Sequence, residues 1–475
     1  MTLPANSKSY SVVHSTSDFR SMLRLAIPAL AEEFLVLAVT WTDWWLTGHY
    51  FQVDGDATKA AMSMMGYVMW LIPSLFAAVA IGATALVARN VGAGDMKMAN
   101  RAANQAFIVG AAVAALLFIL AAVFGNQFLG LMQLRGRSAE FAKEYFDIVV
   151  WSIPMIMFSI IGAACLRGAG DMVTGLVVKS IVVAANILIS FSLVTGWGPF
   201  PEFGWKGLAI GTAIGHSLGG VIVLLVLFYG RAGLQIQRRL LSPVLSIIRN
   251  ILRVGLPGGF DVATLLFAQM VFLAMINAMG ESAAAAHGLA VQMEAACFLP
   301  GAAFQAAAAT MAGQFLGAKM PVRARRSGWW CLAGGGFIMC VMGTVLFIYG
   351  RQFGCFFTGI WDDPTVIKSA ELLRIIAIVM PFLAVTMILT GSLRGAGDTI
   401  WPFAFTVIGF FVFRIPLAAY FGLDELTWLQ NVGIHVQGRG CGVSGAWYAM
   451  IIDVTLRAVM VASRYLHGGW TLLKI

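Results

Sequence analysis

The chain carries few charged side chains. Only 11% of its 475 residues are Asp, Glu, Lys or Arg, whereas 60% are hydrophobic. A soluble globular protein has about 25% charged residues, so the composition excludes that class and indicates an integral membrane protein. The net charge of +9 therefore does not indicate nucleic-acid binding, because the Lys and Arg residues of a membrane protein are expected to collect in its cytoplasmic loops.

Cysteine is also scarce. The six cysteines show no CxxC spacing and no Cys/His cluster, so no metal site is predicted. Four of them lie in apolar runs as packing residues, and a disulfide between Cys355 and Cys441 is left open. The first 21 residues are polar and contain no apolar core, so we expect no cleaved signal peptide.

Motifs for catalysis and nucleotide binding are absent from the sequence. There is no Walker A loop, which excludes direct use of ATP through that motif. There is also no HExxH sequence and no GxSxG nucleophile elbow. We therefore predict that the protein is not an enzyme and uses no organic cofactor.

A long repeat is present instead. The hexapeptide LRGAGD occurs at residues 166–171 and again at 393–398, 227 residues apart. Pro28 and Pro257 each open the first apolar run of their half. The glycines permit a tight turn, which we expect the Arg and Asp of the hexapeptide to close with local hydrogen bonds. The spacing is far longer than that of short solenoid units and predicts two similar halves.

Twelve apolar runs reach the length of about 20 residues that a spanning helix needs. Each half holds six runs, an even number, so both halves enter the membrane from the same side. We therefore predict an all-α polytopic membrane protein, with twelve transmembrane helices in two parallel six-helix lobes around a central cleft. The runs lie at roughly 22–48, 62–88, 102–128, 145–166, 172–195, 207–230, 254–279, 284–316, 328–350, 371–393, 400–421 and 443–463.

These runs define five predicted regions. A basic stretch between the halves carries apolar residues but is too short and polar to span, and we interpret it as a surface amphipathic helix. The regions are a cytoplasmic N-terminal segment (1–21), an N-lobe (22–233), the amphipathic cytoplasmic linker (234–253), a C-lobe (254–465) and a cytoplasmic tail (466–475).

The loop charges predict the orientation. With the N-terminus inside, 20 Lys and Arg fall in inside segments and 8 in outside loops, out of 31 in total. This bias places both termini, and both hexapeptides, on the cytoplasmic side of a cell (inner or plasma) membrane.

Ionisable side chains inside a membrane are costly and are functional candidates by default. Asp453 and Arg457 lie four residues apart and can neutralise each other as a helical pair, so we assign them a structural role. The ionisable residues considered in the runs are Glu32, Glu33, Asp43, Asp261, Glu294, Arg414, Asp453 and Arg457.

A carboxylate in a water-filled intramembrane cavity can attract a cation, and desolvation allows it to take up a proton. A protonated carboxylate no longer attracts a cation. Proton binding and cation binding therefore exclude each other, and this exclusion gives antiport. Asp43 and Glu294 are the strongest candidates for such a group, followed by Asp261. The alternative for each is a buried, hydrogen-bonded packing residue.

Several motifs occur in a familiar order. LRGAGD follows the fourth and tenth runs, VGAGD (91–95) follows the second, GQFLGAK (313–319) ends the eighth, and RIPL (414–417) lies in the eleventh. Over about residues 22–465 the chain resembles the multidrug and toxic compound extrusion (MATE) transporters of prokaryotes. The resemblance implies a monomeric membrane transporter that exports organic, mainly cationic, drug-like compounds in exchange for H⁺ or Na⁺ by alternating access.

The resemblance also implies roles for particular residues. Asp43 matches the acidic residue of the family's first helix, and Pro28 matches the proline of that helix. In one prokaryotic branch this acid works with an Asn and an Asp on the fifth helix and a Thr on the sixth. Asn186 and Thr212 match the Asn and Thr, whereas the Asp position holds Ser190.

The sodium-coupled branch is matched less well. Asp261 lies about a turn before that branch's acid on the seventh helix, and the tenth run contains no acid. Glu294, on the eighth helix, is the residue that could take the place of the missing acid. The sequence therefore leaves H⁺ and Na⁺ open as the coupling ion.

The sequence leaves two other functions open. A flippase for a lipid-linked or polyprenyl-linked substrate shares the architecture, but it would line its cavity with Arg and Lys for phosphate. A membrane-embedded enzyme would need a clustered nucleophile or metal set, and none is visible. The mid-membrane positions are mainly acidic, which favours cationic cargo.

Overall fold

The computed structural model of the protein describes residues 11–51, 55–131, 136–358, 360–425, 437–473 and 475. Residues 1–10 of the predicted N-terminal segment lie outside this set. Within these ranges the chain is helical, and its only β-structure consists of two isolated bridges. The helices form twelve consecutive spans, six in each half of the chain.

The spans are numbered here in chain order. The N-lobe contains α1 (Asp18–Tyr50), α2 (Gly55–Leu75 and Ala77–Gly92), α3 (Met96–Leu131), α4 (Arg137–Val149, Val150–Ser152 and Ile153–Ala169), α5 (Met172–Thr195) and α6 (Trp205–Tyr229). The C-lobe contains α7 (Leu245–Ala278), α8 (Glu281–Gly317), α9 (Pro321–Thr358), α10 (Pro364–Gly395), α11 (Ile400–Val407, Ile408–Arg414 and Ile415–Gly422) and α12 (Gly442–His467).

Eleven helices in the described part of the chain are long and apolar enough to cross a membrane. The exception is α1, which has 33 residues and would extend about 50 Å, but contains Glu32, Glu33 and Asp43. We call the side at which α1 begins the N-terminal face. An even number of spans returns the end of α12 to the same face.

The first helix of each lobe contributes to the core of the other lobe. Met22 and Leu25, near the start of α1, pack in the C-lobe core, whereas Leu46 at the far end of α1 packs in the N-lobe core. Ile247 and Ile251, near the start of α7, pack in the N-lobe core. At the N-terminal face the packing boundary therefore does not follow the predicted boundaries at residues 233 and 254.

Glycines allow the lobes to approach closely towards the N-terminal face. Gly92 on α2 lies against the backbone of Gln314 on α8, and Gly317 lies against the backbone of Arg89. Gly255 on α7 lies against the backbone of Ala78. A Cβ atom at any of these glycines would overlap a carbonyl oxygen, so this contact requires glycine. It fixes α2 against α7 and α8.

Polar contacts reinforce the N-terminal face. The Gln314 side chain accepts a hydrogen bond from the Val12 backbone N–H (2.9 Å) and donates one to the Gly168 carbonyl (2.9 Å). Arg323 on α9 pairs with Asp18 at 2.6 Å. These contacts tie the segment before α1 and the first hexapeptide to the C-lobe.

The linker between the lobes is not the predicted amphipathic helix. Residues 230–237 are extended or turn structure, Arg238–Leu240 forms one 3₁₀ turn, and the chain from Leu245 already belongs to α7. Amide side chains of α3 bind the linker backbone: Asn100 and Asn104 accept from the N–H groups of Gln235 and Gln237 at 2.8 and 3.0 Å. These bonds replace helical ones, and Pro243 disfavours the helical conformation at the residue before it.

The hexapeptides form turns as predicted, with Gly170 at φ +92° and Gly397 at φ +89°. The prediction that their arginines bond locally is wrong. Arg167 pairs with Glu32 on α1 at 3.8 Å, and Arg394 pairs with Asp261 on α7 at 2.6 Å. Each of these acids lies four residues after the equivalent proline, so the repeat includes a charge pair between the first and fourth helices of each lobe.

The hexapeptide aspartates pair with the last helix of their own lobe or with the chain after it. Asp171 caps α5 by accepting from the Thr174 N–H (3.0 Å) and binds Arg231 at 2.9 Å. Asp398 binds Arg464 on α12 at 2.8 Å. Burial raises the pKa of the Asp398 carboxyl, and the Arg464 guanidinium opposes that shift. The same ionic links therefore close the N-terminal face of both lobes.

Candidate ion and cargo site

A cluster of polar side chains lies in the N-lobe, towards the face opposite the N-terminal one. Asn186 on α5 donates through Nδ2 to the Thr212 hydroxyl on α6 (3.3 Å), and the Tyr145 hydroxyl on α4 donates to the same oxygen (3.0 Å). Ser190 lies one helical turn after Asn186 and on the same side of α5. All four side chains are buried.

Close packing of α5 and α6 positions this cluster. A Cβ atom at Gly211 would overlap the Ser190 hydroxyl, and one at Gly215 would lie 3.1 Å from Asn186 Cβ. Small residues allow such approach between membrane helices. Because Gly211 immediately precedes Thr212, the helix contact brings the hydroxyls of Ser190 and Thr212 into one region.

Asp43 faces this cluster from α1. Its side chain is only 5% exposed, and it interacts electrostatically with Tyr145. Thr47, one turn later, bonds the Asp43 backbone carbonyl rather than its carboxylate (2.7 Å). The tryptophans near Asp43 are at least partly exposed, with Trp41 at 61%, so they do not enclose the carboxylate.

Three oxygens of this cluster have no hydrogen-bond partner among the described residues. They belong to the Asp43 carboxylate (Oδ1), the Asn186 amide (Oδ1) and the Ser190 hydroxyl. A buried polar group without a partner costs about 1–3 kcal/mol. Bound H⁺ or Na⁺ would offset that cost, because a proton supplies a donor and a hard cation prefers oxygen ligands.

The remaining candidate acids lie in the C-lobe. Asp261 is 3% exposed and already paired with Arg394, so its charge is balanced. Glu294 is partly buried on α8 and interacts electrostatically with Arg414 on α11. The structure thus brings Asp43, Asn186 and Thr212 together and places Asp261 and Glu294 elsewhere.

The predicted structural pair on α12 is present. Arg457 binds both carboxylate oxygens of Asp453 at 2.8 Å each, and Arg414 approaches the same carboxylate at 2.8 Å. The contact of Arg414 with this pair was not predicted.

The role of Tyr145 was not predicted either. Tyr145 begins the fourth apolar run, and a phenol hydroxyl at that position was the only local sign of a polar site. Pro28, the other residue predicted for α1, lies inside that helix, which continues through it.

A cavity of about 280 Å³ lies between the lobes. Arg167, Arg394 and Glu33 line it together with Thr84 and Gln305. Both hexapeptide arginines therefore reach the central cleft. No group of three or more His, Cys, Asp or Glu suited to a metal occurs among the described residues, and the six cysteines are free thiols.

Comparison with known proteins identifies the family. The sequence model of the MatE family matches residues 28–192 and 257–420, more than half of the chain and once in each lobe. The chain belongs to the MatE family. The two matches begin at Pro28 and Pro257, the prolines that the repeat makes equivalent. The protein is thus a multi-pass member of a membrane transporter family rather than an enzyme.

Curated relatives align over nearly the whole chain. A probable multidrug resistance protein NorM of Thermotoga maritima is 28% identical over 466 residues, 95% of this chain and 93% of the relative. The multidrug resistance protein MdtK of Photorhabdus laumondii is 25% identical over 467 residues, 96% of each chain.

Solved structures share the fold. An outward-facing multidrug resistance MATE family transporter of the MOP superfamily superposes with a TM-score of 0.87 at 18% identity, covering 98% of this chain and 99% of the other. A MOP superfamily transporter from Pyrococcus furiosus, described as having a binding pocket of reversed polarity, gives 0.87 at 19% identity and 100% coverage of both chains. The two-lobe, twelve-helix arrangement is therefore that of MATE transporters.

Proposed function

We propose that the protein is a secondary active efflux transporter that exports organic cations in exchange for H⁺ or Na⁺. The observation that carries this proposal is the set of three unpartnered oxygens around Asp43 in a membrane-embedded lobe. Relatives that align over at least 95% of this chain are named as multidrug resistance proteins, which supports drug-like cargo.

Asp43 is the coupling carboxylate in this mechanism. In its ionised form it attracts the positively charged group of the cargo. When H⁺ or Na⁺ binds, the charge is neutralised and the cargo is no longer held. Asn186 and Ser190 supply further acceptor oxygens for a metal cation, while the Tyr145 hydroxyl, through Thr212, helps to fix the orientation of Asn186.

The N-terminal face is cytoplasmic in this proposal. The excess of Lys and Arg in the segments at that face supports this orientation. The glycine contacts between α2, α7 and α8 bring the lobes together towards that side, and Asp43 lies seven residues from the far end of α1. Ion entry from outside would therefore release cargo to the outside, and separation of the glycine contacts would give access from the cytoplasm.

The test is export of a fluorescent cationic dye from cells, with the pH and Na⁺ gradients collapsed separately. Asp43→Asn imitates the protonated side chain but cannot cycle, so we expect it to abolish gradient-driven export. Glu144→Gln is the matched control, because Glu144 is an acid of the same lobe whose side chain is 41% exposed beside Lys206. Export by Asp43→Asn at the wild-type rate under both gradients would refute the proposal.

A further inference from the structure

The buried cluster between α11 and α12 contains more positive than negative charge. Arg457 and Arg414 both bind the single carboxylate of Asp453. The three residues are 6%, 4% and 0% exposed, respectively. Two guanidinium groups on one carboxylate leave one positive charge without a counter-ion in contact. Charges buried in proteins are normally paired, so the excess charge needs another partner.

Glu294 is the acid that faces this excess charge. It interacts electrostatically with Arg414, yet among the described residues it has no hydrogen bond or ion pair. Glu294 thus balances the cluster from a distance and does not close the contact.

Glu294 also lies on the same side of α8 as residues that line the cleft between the lobes. Residues 294, 298, 302, 305 and 309 follow one another by three or four positions, so they lie along one side of α8. Three of them, Ala302, Gln305 and Ala309, line the cavity between the lobes. Glu294 lies on the same stripe, about 16 Å further along the helix than Gln305, and Phe298 between them is 42% exposed.

Arg414 has hydrogen-bonding capacity that the protein does not use. Its guanidinium packs over the Phe410 ring at 4.4 Å and near Phe272 at 5.8 Å. Its Nε lies 2.8 Å from Asp453, but without the alignment of a hydrogen bond. Among the described residues, the Arg414 Nε–H has no acceptor in good alignment. An arginine held by aromatic rings with free N–H groups is suited to bind a carboxylate.

The backbone supports a specific role for this position. In the 227-residue repeat, the residue equivalent to Asn186 is Phe413, which immediately precedes Arg414. α11 contains a π-helical turn over Ile408–Arg414, and such turns widen a helix and occur often at functional sites. One added residue in α11 would make Arg414 the counterpart of Asn186 in α5. Equivalent positions of the two lobes would then hold an amide with a free acceptor oxygen in one and a guanidinium, which can only donate, in the other.

We propose that Arg414 is a binding site for a negatively charged group of the cargo, such as a carboxylate, and that Glu294 neutralises this site when the cleft holds no such group. A cargo carboxylate takes the place of Glu294 as the partner of Arg414. The proposal rests on the proposed export function and adds a second recognition site to it. It also explains why the Arg414 Nε–H lacks a well-aligned acceptor among the described residues.

The test is direct binding of two rhodamine dyes that differ only in a free carboxylate or its ethyl ester. Fluorescence anisotropy on the purified protein in nanodiscs, without any ion gradient, gives both dissociation constants. Glu294→Gln removes the competing carboxylate, so we expect it to tighten binding of the acid dye at least about tenfold and not to tighten binding of the ester. Glu371→Gln, which removes an acid bound to Lys368 and Ser444 elsewhere in the C-lobe, is the control and should change neither constant.

Arg414→Gln in the Glu294→Gln background should abolish the gain, because the donor is removed. Arg457 and Asp453 still pair in that variant, which favours correct folding. If Glu294→Gln binds the acid dye no more tightly than wild type, or if the gain survives Arg414→Gln, the proposal is wrong. Because no gradient is used, a transporter that fails to couple to H⁺ or Na⁺ would still show the expected binding difference.

Discussion

In the N-lobe, Asp43 and two polar residues of α5 leave three oxygens without a partner among the described residues, whereas the C-lobe cluster of α11 and α12 holds two arginines and an aspartate in contact. At the N-terminal face the lobes instead agree, since each links its first and fourth helices through an acid and the hexapeptide arginine. The repeat therefore preserves the charge pairs at the N-terminal face and varies the charges at the proposed binding sites.

In the proposed mechanism, this difference gives the two lobes different tasks. An unpartnered carboxylate with free acceptor oxygens can exchange one cation for another. A carboxylate shared by two guanidinium groups cannot, because its charge is already neutralised. The N-lobe is thus suited to ion exchange, and Asp453 in the C-lobe is suited to holding Arg414 in place.

The largest expected effect is on stability. Asp453→Asn leaves two buried arginines without their carboxylate, and breaking a buried pair costs about 3–5 kcal/mol. Asp43→Asn removes no partner, so it should cost little stability or even increase it. Thermal unfolding of both variants in detergent, followed by size-exclusion chromatography, measures the difference. Equal unfolding temperatures for the two variants would contradict this contrast between the lobes.

A smaller effect should separate the two hexapeptide pairs. Arg394 lies 2.6 Å from an Asp261 side chain that is 4% exposed, so Arg394→Gln leaves a buried carboxylate and should cost about 3 kcal/mol. Arg167 lies 3.8 Å from Glu32, with side chains 27% and 19% exposed, and Arg167→Gln should cost about 1 kcal/mol.

Denaturation of these two variants under one set of conditions compares the pairs directly. The C-lobe variant is expected to unfold first. The reverse order would mean that the looser N-lobe pair is the more important link at the N-terminal face.

Local patterns in the sequence predicted much of the fold. Apolar runs gave the spans, and the repeated hexapeptide gave two turns with glycines at positive φ. The Asp453–Arg457 pair followed from their spacing of four residues on one helix. Each of these features depends on residues close together in the chain, which is why the sequence was sufficient.

Features that depend on contacts between distant helices were not predicted. The pairing of Arg394 with Asp261, the contact of Arg414 with Asp453 and the contribution of Tyr145 each join separate spans. The linker was misassigned because its backbone is satisfied by amides of α3. One signal was available: Glu32 and Asp261 both lie four residues after equivalent prolines, which marks them as a repeated pair.

The most direct test of the central claim is proton or ion release on cargo binding. A cationic dye is added to the purified protein in weakly buffered detergent solution, and released protons are followed with a pH indicator, or bound ²²Na⁺ by scintillation. We predict release from the wild type and from Glu294→Gln, and none from Asp43→Asn, because cargo and ion compete for the N-lobe carboxylate alone. Wild-type release from Asp43→Asn, or loss of release in Glu294→Gln, would contradict the assignment of ion exchange to the N-lobe.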